Sequence, residues 1–535
     1  MQIKNFIFNK HTFSGDKFKQ LNFSKGEDWP VVYILENVKK VYIGQTNNFR
    51  RRMNEHLDNP ERTHLDSAYC IIDNEFNKSA VLDVESKLIS YFDADKKYEL
   101  LNVNAGSISQ DYYNRTNYLN KIPAIWKKLQ SLGLANKDIF DIENSDLFKY
   151  SPYKSLTIDQ FAISQMIIED IRDEAYSTTF IEGNAGTGKT VLAMYLLKKL
   201  RHDYPNLKIA LVVSMQSLRK TLKEVAGTIK GLRKNDVINP NQVASQKWDV
   251  LIVDEAHRLK QRKNLTNYKA FDDINKNLEI LNGNQLDWII AQSNHQILFY
   301  DEDQSVKPTD ISREYFTNLK MMLYKERKWK QFNLETQHRV KGGYEYIKYS
   351  KEVLQNNKPQ RIDFNNYDVK LYKDFQSFNI ELYSKEKEFG LCRMVSGYSF
   401  DWISKNDPSK YDIEIQGIKK QWNSDDEDWI NSKNALDEVG CIHTVQGYDL
   451  NYIFLIFGKE IDYIPKQDRI VINKDMYFDK KGKAGIYDQE ELKEYILNIY
   501  ATLMSRGIQG IYMYACNENF YEYLRKYFNV VNNNE

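Results

Sequence analysis

TTFIEGNAGTGKTVLAMYLLKKL, residues Thr178 to Leu200, reads as a strand, a glycine-rich turn and a helix. Gly183, Gly188, Lys189 and Thr190 satisfy the G-x-x-x-x-G-K-[ST] pattern, and the physics of that pattern is a phosphate cradle. Glycines let the backbone N–H groups of the Asn184, Ala185, Gly186, Thr187 and Gly188 turn face inward, where a Cβ would obstruct a phosphate oxygen. Lys189 can then reach the β and γ phosphates and Thr190 can hold Mg²⁺, while the helix start adds its positive dipole end. An apolar strand before the loop and an apolar-periodic helix after it are the context that this reading requires.

Working outward, 535 residues are too many for one core and imply about three domains. With 75 Lys and Arg against 74 Asp and Glu, the net charge of +1 gives no global attraction to nucleic acid, so any such site must be a local patch. Cys70, Cys392, Cys441 and Cys516 are far apart and lack C-x-x-C spacing, which argues against disulfides and structural zinc. The N-terminal residues lack the apolar core of a signal peptide, and no run approaches ~20 apolar residues. A cytoplasmic protein with no membrane partner is expected.

Downstream of the loop, Lys208–Ser214 and Asp249–Val253 are apolar runs of the kind buried in a parallel sheet. The second ends in Asp254 and Glu255: a carboxylate at a strand tip can hold Mg²⁺ through water, and its neighbour can orient the attacking water. Gln296–Tyr300 is a third such strand, and beyond it Gln304 is placed to sense the γ-phosphate. Strands alternating with helices, with motifs at strand ends, predict a doubly wound α/β lobe of RecA type over 156–330.

Later stretches extend the pattern. LETQHR offers Arg339, HTVQGYD at His443–Asp449 precedes an apolar strand, and ATLMSRGIQGI offers Arg506. These runs resemble motifs of superfamily 1 helicases, and VDEAHRL, TVQG and SRG-I-x-G resemble most a helicase-like ATPase family grouped with the schlafen proteins. The resemblance implies a second RecA-like lobe over 331–535 that returns Arg339 and Arg506 to ATP as arginine fingers. It also implies that Gln160, upstream of the loop, reads the adenine. Superfamily 2 is the competing assignment, since Asp-Glu-Ala-His is a motif there, but no Q-x-x-G-R-x-x-R pattern surrounds Arg506.

Toward the N-terminus, Val31–Leu35 and Lys40–Gly44 are β-rich runs in a hairpin-like arrangement, with Tyr33 and Tyr42 in comparable places. A helix is expected after Thr46-Asn47-Asn48, with Arg52 and His56 four apart on one face, and a second helix over Val81–Phe92 carries Glu85. As an ordered set, Tyr33, Tyr42-Ile43-Gly44, Arg52, His56, Glu85 and Asn102 resemble the GIY-YIG nuclease domain, with Val31 standing where the family name has glycine. The resemblance implies a small α/β domain within 1–110 that cuts phosphodiester bonds with one divalent metal on Glu85. Arg52 would neutralise transition-state charge, and Tyr33 or Tyr42 would activate water.

Residues 111–155 carry no catalytic pattern and read as a partly helical linker, with one helix over Lys121–Leu132. The basic stretches Arg219–Lys234 and Lys325–Lys330, the latter holding Trp329, suit a single strand's phosphates and bases, and equally suit solvated faces. The whole reads as an ATP-dependent nuclease or nuclease–helicase using ATP and Mg²⁺ on nucleic acid, DNA being expected over RNA. Such a fusion suits defence against foreign DNA, and repair or recombination would need the same parts. The rival class is a nucleic-acid-binding ATP switch that neither unwinds nor cuts.

Overall fold

A computed structural model describes residues 7–12, 28–60, 62, 64–102, 112–184, 186–301, 309–326, 328–334, 340–424, 428–445, 448–480, 482–484 and 486–531. The chain forms two compact units, one running to Met166 and including Met194–Lys198, the other comprising Ile167–Ala193 and Lys199–Glu535. Among the described residues no helix is long and apolar enough to cross a membrane.

The first unit is built on a five-stranded sheet in the order β1-β4-β2-β3-β5. Its strands are β1 (Ile7–Thr12), β2 (Val31–Glu36), β3 (Lys40–Thr46), β4 (Ser67–Ile72) and the short β5 (Glu99–Leu100). β2 and β3 form the antiparallel hairpin that the sequence predicts, with Tyr33 paired to Gly44. β2 lies inside the sheet, so Val31–Leu35 is buried on both faces, which is why its sequence is a continuous apolar run. The helices Phe49–Leu57 and Lys78–Asp95 each begin at an asparagine, Asn48 and Asn77, whose side chain accepts from the N–H of Arg51 or Ala80 at 2.9 Å. Phe49 and Met53 of the first helix pack on Tyr33 and Leu35.

The stretch expected as a linker is a second layer of this unit. Four short helices, Arg115–Leu119, Ile122–Ser131, Ile139–Asn144 and Asp146–Lys149, follow the sheet. Trp126 is almost fully buried, with its ring 5.3 Å from Tyr91 and 5.2 Å from Phe92 of the helix Lys78–Asp95, and its indole N–H donates to Lys137 O at 2.9 Å. Removing an aromatic ring from such a site costs about 3–5 kcal/mol. The apolar positions of IPAIWKKLQS therefore cover the long helix and are not exposed along a tether.

The second unit holds two parallel sheets. The first has the order β11-β6-β10-β9-β7-β8, from β6 (Ser177–Gly183), β7 (Ile209–Val213), β8 (Val237–Ile238), β9 (Trp248–Asp254), β10 (Ser293–Tyr300) and β11 (Lys328–Leu334). Every pairing in it is parallel. The second has the order β12-β20-β17-β13 and is also parallel throughout. Its strands are β12 (Asp368–Tyr372), β13 (Cys392–Ser396), β17 (Leu450–Phe457) and β20 (Gly507–Ala515). Between β13 and β17 the chain inserts β14 (Ile413–Ile415), β15 (Ile418–Trp422) and β16 (Glu438–Val439), and after β17 the hairpin β18 (Ile461–Ile464) and β19 (Arg469–Ile472). These are the two RecA-like lobes expected from the motif spacing, each with its own apolar core.

Within the Lys325–Lys330 stretch, Trp329 and Lys330 prove less available than composition suggests. Trp329 and Lys330 lie on β11, where the Trp329 ring meets Phe180 edge-on at 6.0 Å and Lys330 Nζ lies 2.9 Å from Asp170. Both are occupied in holding that strand in the sheet.

Candidate active sites

In the nuclease-like unit the hairpin and the first helix bring four expected residues together. The Tyr33 hydroxyl lies 2.7 Å from His56 Nε2, and Arg52 Nε donates to the same oxygen at 3.2 Å. The Tyr42 ring lies 6.2 Å from that of Tyr33 and 5.1 Å from His56. Gly44 is required by close approach, because a Cβ there would overlap the Tyr33 hydroxyl. Arg52 also holds Glu55 at 2.7 Å across one turn.

Glu85 faces this cluster from the helix Lys78–Asp95. Burial pushes its carboxyl up to about 7, while the Gln45 backbone N–H and Arg52 favour the charged form. Burial likewise drives the Tyr33 phenol far upward, opposed by Arg52. Asn102 takes a supporting place: its Oδ1 accepts from Ile43 N at 3.0 Å and its Nδ2 donates to Ile43 O at 2.8 Å, which fixes the strand between Tyr42 and Gly44. One carboxylate with an adjacent basic side chain fits a hard cation that keeps water and phosphate oxygens for its other positions. The ordered set read from the sequence does not include Arg62, whose guanidinium lies 3.9 Å from the Tyr42 ring centre and 2.5 Å from His56 Nδ1. It follows the helix in a loop where no periodicity marks it.

In the second unit the loop after β6 turns into the helix Lys189–Asp203 through Gly188, whose φ of 80° is one that only glycine adopts freely. Lys189 is buried and donates to Gly183 O at 2.5 Å and Asn184 O at 3.1 Å, with Asp301 Oδ2 3.8 Å away. Thr187 Oγ1 donates to Asn184 O at 2.9 Å, and Gly186 has a φ of 85°. Thr190 Oγ1 donates to Asp254 Oδ2 at 2.8 Å, joining the loop to the tip of β9. Ala185, Gln304 and Arg339 lie outside the described residues.

Glu255 follows Asp254 with a φ of 51°, a strained conformation for a residue with a Cβ. Burial and the adjacent Glu255 raise the Asp254 carboxyl, whereas at Glu255 burial is outweighed by His257, Lys189 and Arg506, which hold it well below the usual range. His257 Nδ1 accepts from Asp301 N at 3.2 Å, and its Nε2 stands 3.0 Å from Glu255 Oε2. Oxygen donors at Thr190 and Asp254, a carboxylate at Glu255 held by His257, a buried lysine and a helix start together fit a nucleotide with a hard divalent cation. His257 and Asp301 were not singled out as site residues, although His257 stands in the VDEAHRL run and Asp301 directly follows the strand Gln296–Tyr300.

Arg506, at the head of β20 in the second lobe, is buried, and its charge reaches Glu255. Gln160 begins the helix Ile158–Asp173, where its Oε1 accepts from Thr157 N at 3.1 Å as a cap. At the end of β7 lies a cavity of about 600 Å³ whose lining includes Ser214, Arg219, Arg258, Lys260, Asp310 and His443. Arg258 Nη1 donates to Asp310 at 2.8 Å, while its Nε and Nη2 and the Ser214 hydroxyl are buried without a hydrogen bond among the described residues.

Comparison with known proteins finds a family for each region of the chain. Residues 176–517 match the schlafen group 3 DNA/RNA helicase domain, and residues 30–99 match the GIY-YIG catalytic domain. The uncharacterized protein YPL245W of Saccharomyces cerevisiae is 27% identical over 381 residues, covering 63% of this chain and 81% of that protein. Among solved structures, the Pif1 helicase from Candida albicans overlaps 68% of this chain and 96% of its own at 12% identity and a TM-score of 0.30. A Bacteroides Pif1 bound to ssDNA overlaps 65% of this chain and 91% of its own at 10% identity and a TM-score of 0.26. At these scores the overlaps carry no argument about activity.

Proposed function

The chain belongs to the schlafen group 3 DNA/RNA helicase family and carries a GIY-YIG catalytic domain ahead of that region, and from this premise we propose that it is a nuclease whose action on nucleic acid is coupled to ATP hydrolysis. The family matches make it a hydrolase with nuclease and helicase-like ATPase domains. The reading rests on Arg506, buried at the head of β20 in the second lobe, being one of the charges that hold the Glu255 carboxyl of the first lobe low.

Bound divalent cations would supply Lewis-acid stabilisation at both sites, and ATP the phosphoryl group. Lys189 would exchange the carbonyls of Gly183 and Asn184 for phosphate oxygens, with Thr190 and Asp254 on the cation. The Glu255 carboxylate, held by His257, suits orientation of the attacking water, and Arg506 suits neutralisation of charge on the transferring group. The cavity lined by Arg219, Arg258 and Lys260 would suit a strand's phosphates, with Arg258 already paired to Asp310. In the first unit, Glu85 would hold the second cation, Arg52 would neutralise the cleaved phosphate, and Tyr33 stands where a proton could pass to or from water.

The test is cleavage of end-labelled DNA and RNA with Mg²⁺, with and without ATP, in the wild type and in Glu85→Ala and Lys189→Ala. Cleavage that needs Glu85 and rises with ATP supports the reading. Nucleic-acid binding with no cleavage under any condition would leave the ATP switch as the better description.

A further inference from the structure

We propose that Arg62 is a positioning residue of the nuclease site, fixing His56 as an N–H donor to Tyr33 and so leaving the Tyr33 proton unused by the His56 ring. The inference rests on the nuclease reading of the first unit. Its basis is the line of contacts from Arg62 Nη1 to His56 Nδ1 at 2.5 Å and from His56 Nε2 to the Tyr33 hydroxyl at 2.7 Å.

A guanidinium has only donors. The nitrogen it faces must therefore accept, which leaves the imidazole proton on Nε2. His56 is fully buried, and burial together with Arg62 and Arg52 lowers its pKa to about 3, so the ring is neutral and offers one donor and one acceptor. Its single N–H then points at the Tyr33 oxygen. That oxygen also receives Arg52 Nε–H at 3.2 Å. With both lone-pair directions filled, the phenol proton is the one group at this atom left for a further partner.

Without Arg62 the other tautomer becomes available: Nδ1 carries the proton, and Nε2 accepts from the Tyr33 hydroxyl. The phenol proton is then used inside the protein. Arg62 also lies 3.9 Å from the Tyr42 ring centre, and it thereby covers that ring while leaving the Tyr33 hydroxyl oriented by two N–H groups.

The experiment uses the full chain labelled with ¹⁵N-histidine, with long-range proton–nitrogen spectra at pH 7.5 and the His56 signal assigned from its loss in His56→Gln. The expected result is a bare Nδ1 and protonated Nε2 in the wild type, shifting toward protonated Nδ1 in Arg62→Met. A protonated Nδ1 in the wild type, or an unchanged tautomer in Arg62→Met, overturns the proposal. Cleavage kinetics supply the second arm. Arg62→Met should lower kcat by roughly 10–100-fold with little change in KM, as expected for lost positioning. His56→Gln keeps a side-chain N–H donor, so adding Arg62→Met to it should cost no more. An equal loss in that background, or a rise in KM alone, would make Arg62 a phosphate contact instead. A wild type that cuts nothing with Mg²⁺ or Mn²⁺ removes the nuclease reading, and the spectra still decide the role of Arg62.

Discussion

The Thr221 hydroxyl lies 3.0 Å from the Tyr448 hydroxyl, joining the helix after β7 in the first lobe to the loop before β17 in the second. Tyr448 sits in the HTVQGYD run, so a motif read as part of an ATPase is also a latch between lobes. A second tie runs from Asn264 Nδ2 to Ala484 O at 2.5 Å. Both belong to the arrangement in which Arg506 influences Glu255. Tyr448→Phe and Thr221→Val should each reduce strand-stimulated ATP turnover by a few fold, and the pair should show a coupling of about 0.5–1.5 kcal/mol. A double-mutant cycle on steady-state ATPase checks this, and strictly additive effects would remove the latch.

Lys189→Ala should lower ATP hydrolysis by roughly 10²–10³-fold or more, because it removes the charge aimed at the phosphates. Thermal unfolding should change little, since Lys189 makes its hydrogen bonds to two loop carbonyls and fills no apolar core. Undiminished turnover would take the phosphate-loop assignment away.

Gly44→Ala tests the nuclease site through its backbone. The added methyl would overlap the Tyr33 hydroxyl, so either the strand or the ring must shift. Overpacking of this kind costs roughly 1–3 kcal/mol. Cleavage should fall by about 10²-fold from the misplaced phenol, while ATPase activity in the second unit persists. Normal cleavage would show that Tyr33 does not need its present position.

These sites were legible to different degrees for physical reasons. The phosphate loop and the Asp254-Glu255 pair are local patterns, because strand, turn and helix start lie within one short stretch. The first-unit site was legible only as an ordered set, and its members Tyr33, Arg52 and Glu85 come from three separate elements. Arg62 carried no signal, since its role depends on a loop returning to the His56 ring. The packing of Trp126 was hidden in the same way: IPAIWKKLQS is amphipathic, but the face it covers belongs to a helix some 30 residues earlier. Trp329 and Lys330 misled because composition cannot tell a cation facing Asp170 from one facing a strand of nucleic acid.

His56 should make the first unit acid-sensitive. The groups facing it are Tyr33 from β2, Tyr42 from β3, Arg52 on its own helix and Arg62. Its folded pKa of about 3 lies below the usual 6.5, mainly through burial, so the unfolded chain binds more protons between those values. Its contribution is fully present above pH 6.5 and is lost as pH falls toward 3, at no more than about 1.4 kcal/mol per pH unit. His56→Gln should flatten that part of the profile. Denaturant titrations at pH 4.5 and pH 7 check this, and an identical acid slope in the variant would remove His56 as its source.

Arg506 gives the most direct test of coupling between nucleic acid and ATP. Lys189, Thr190, Asp254 and Glu255 belong to the first lobe, whereas Arg506 comes from the head of β20 in the second, so its charge reaches the ATP site only when the lobes are together. A strand held across both lobes would favour that state through its differential affinity for it. Binding through phosphates would weaken as salt rises. Nucleic acid should therefore stimulate ATP turnover more at low salt than at high salt. Arg506→Ala should lose stimulated turnover by on the order of 10³-fold, as for a residue acting on transition-state charge, with a much smaller change in ATP binding. The measurement is steady-state ATPase against strand concentration at two salt concentrations, paired with nucleotide binding by the variant. A wild-type rate indifferent to every DNA and RNA offered would sink the coupling, and normal stimulated turnover in Arg506→Ala would sink the finger alone.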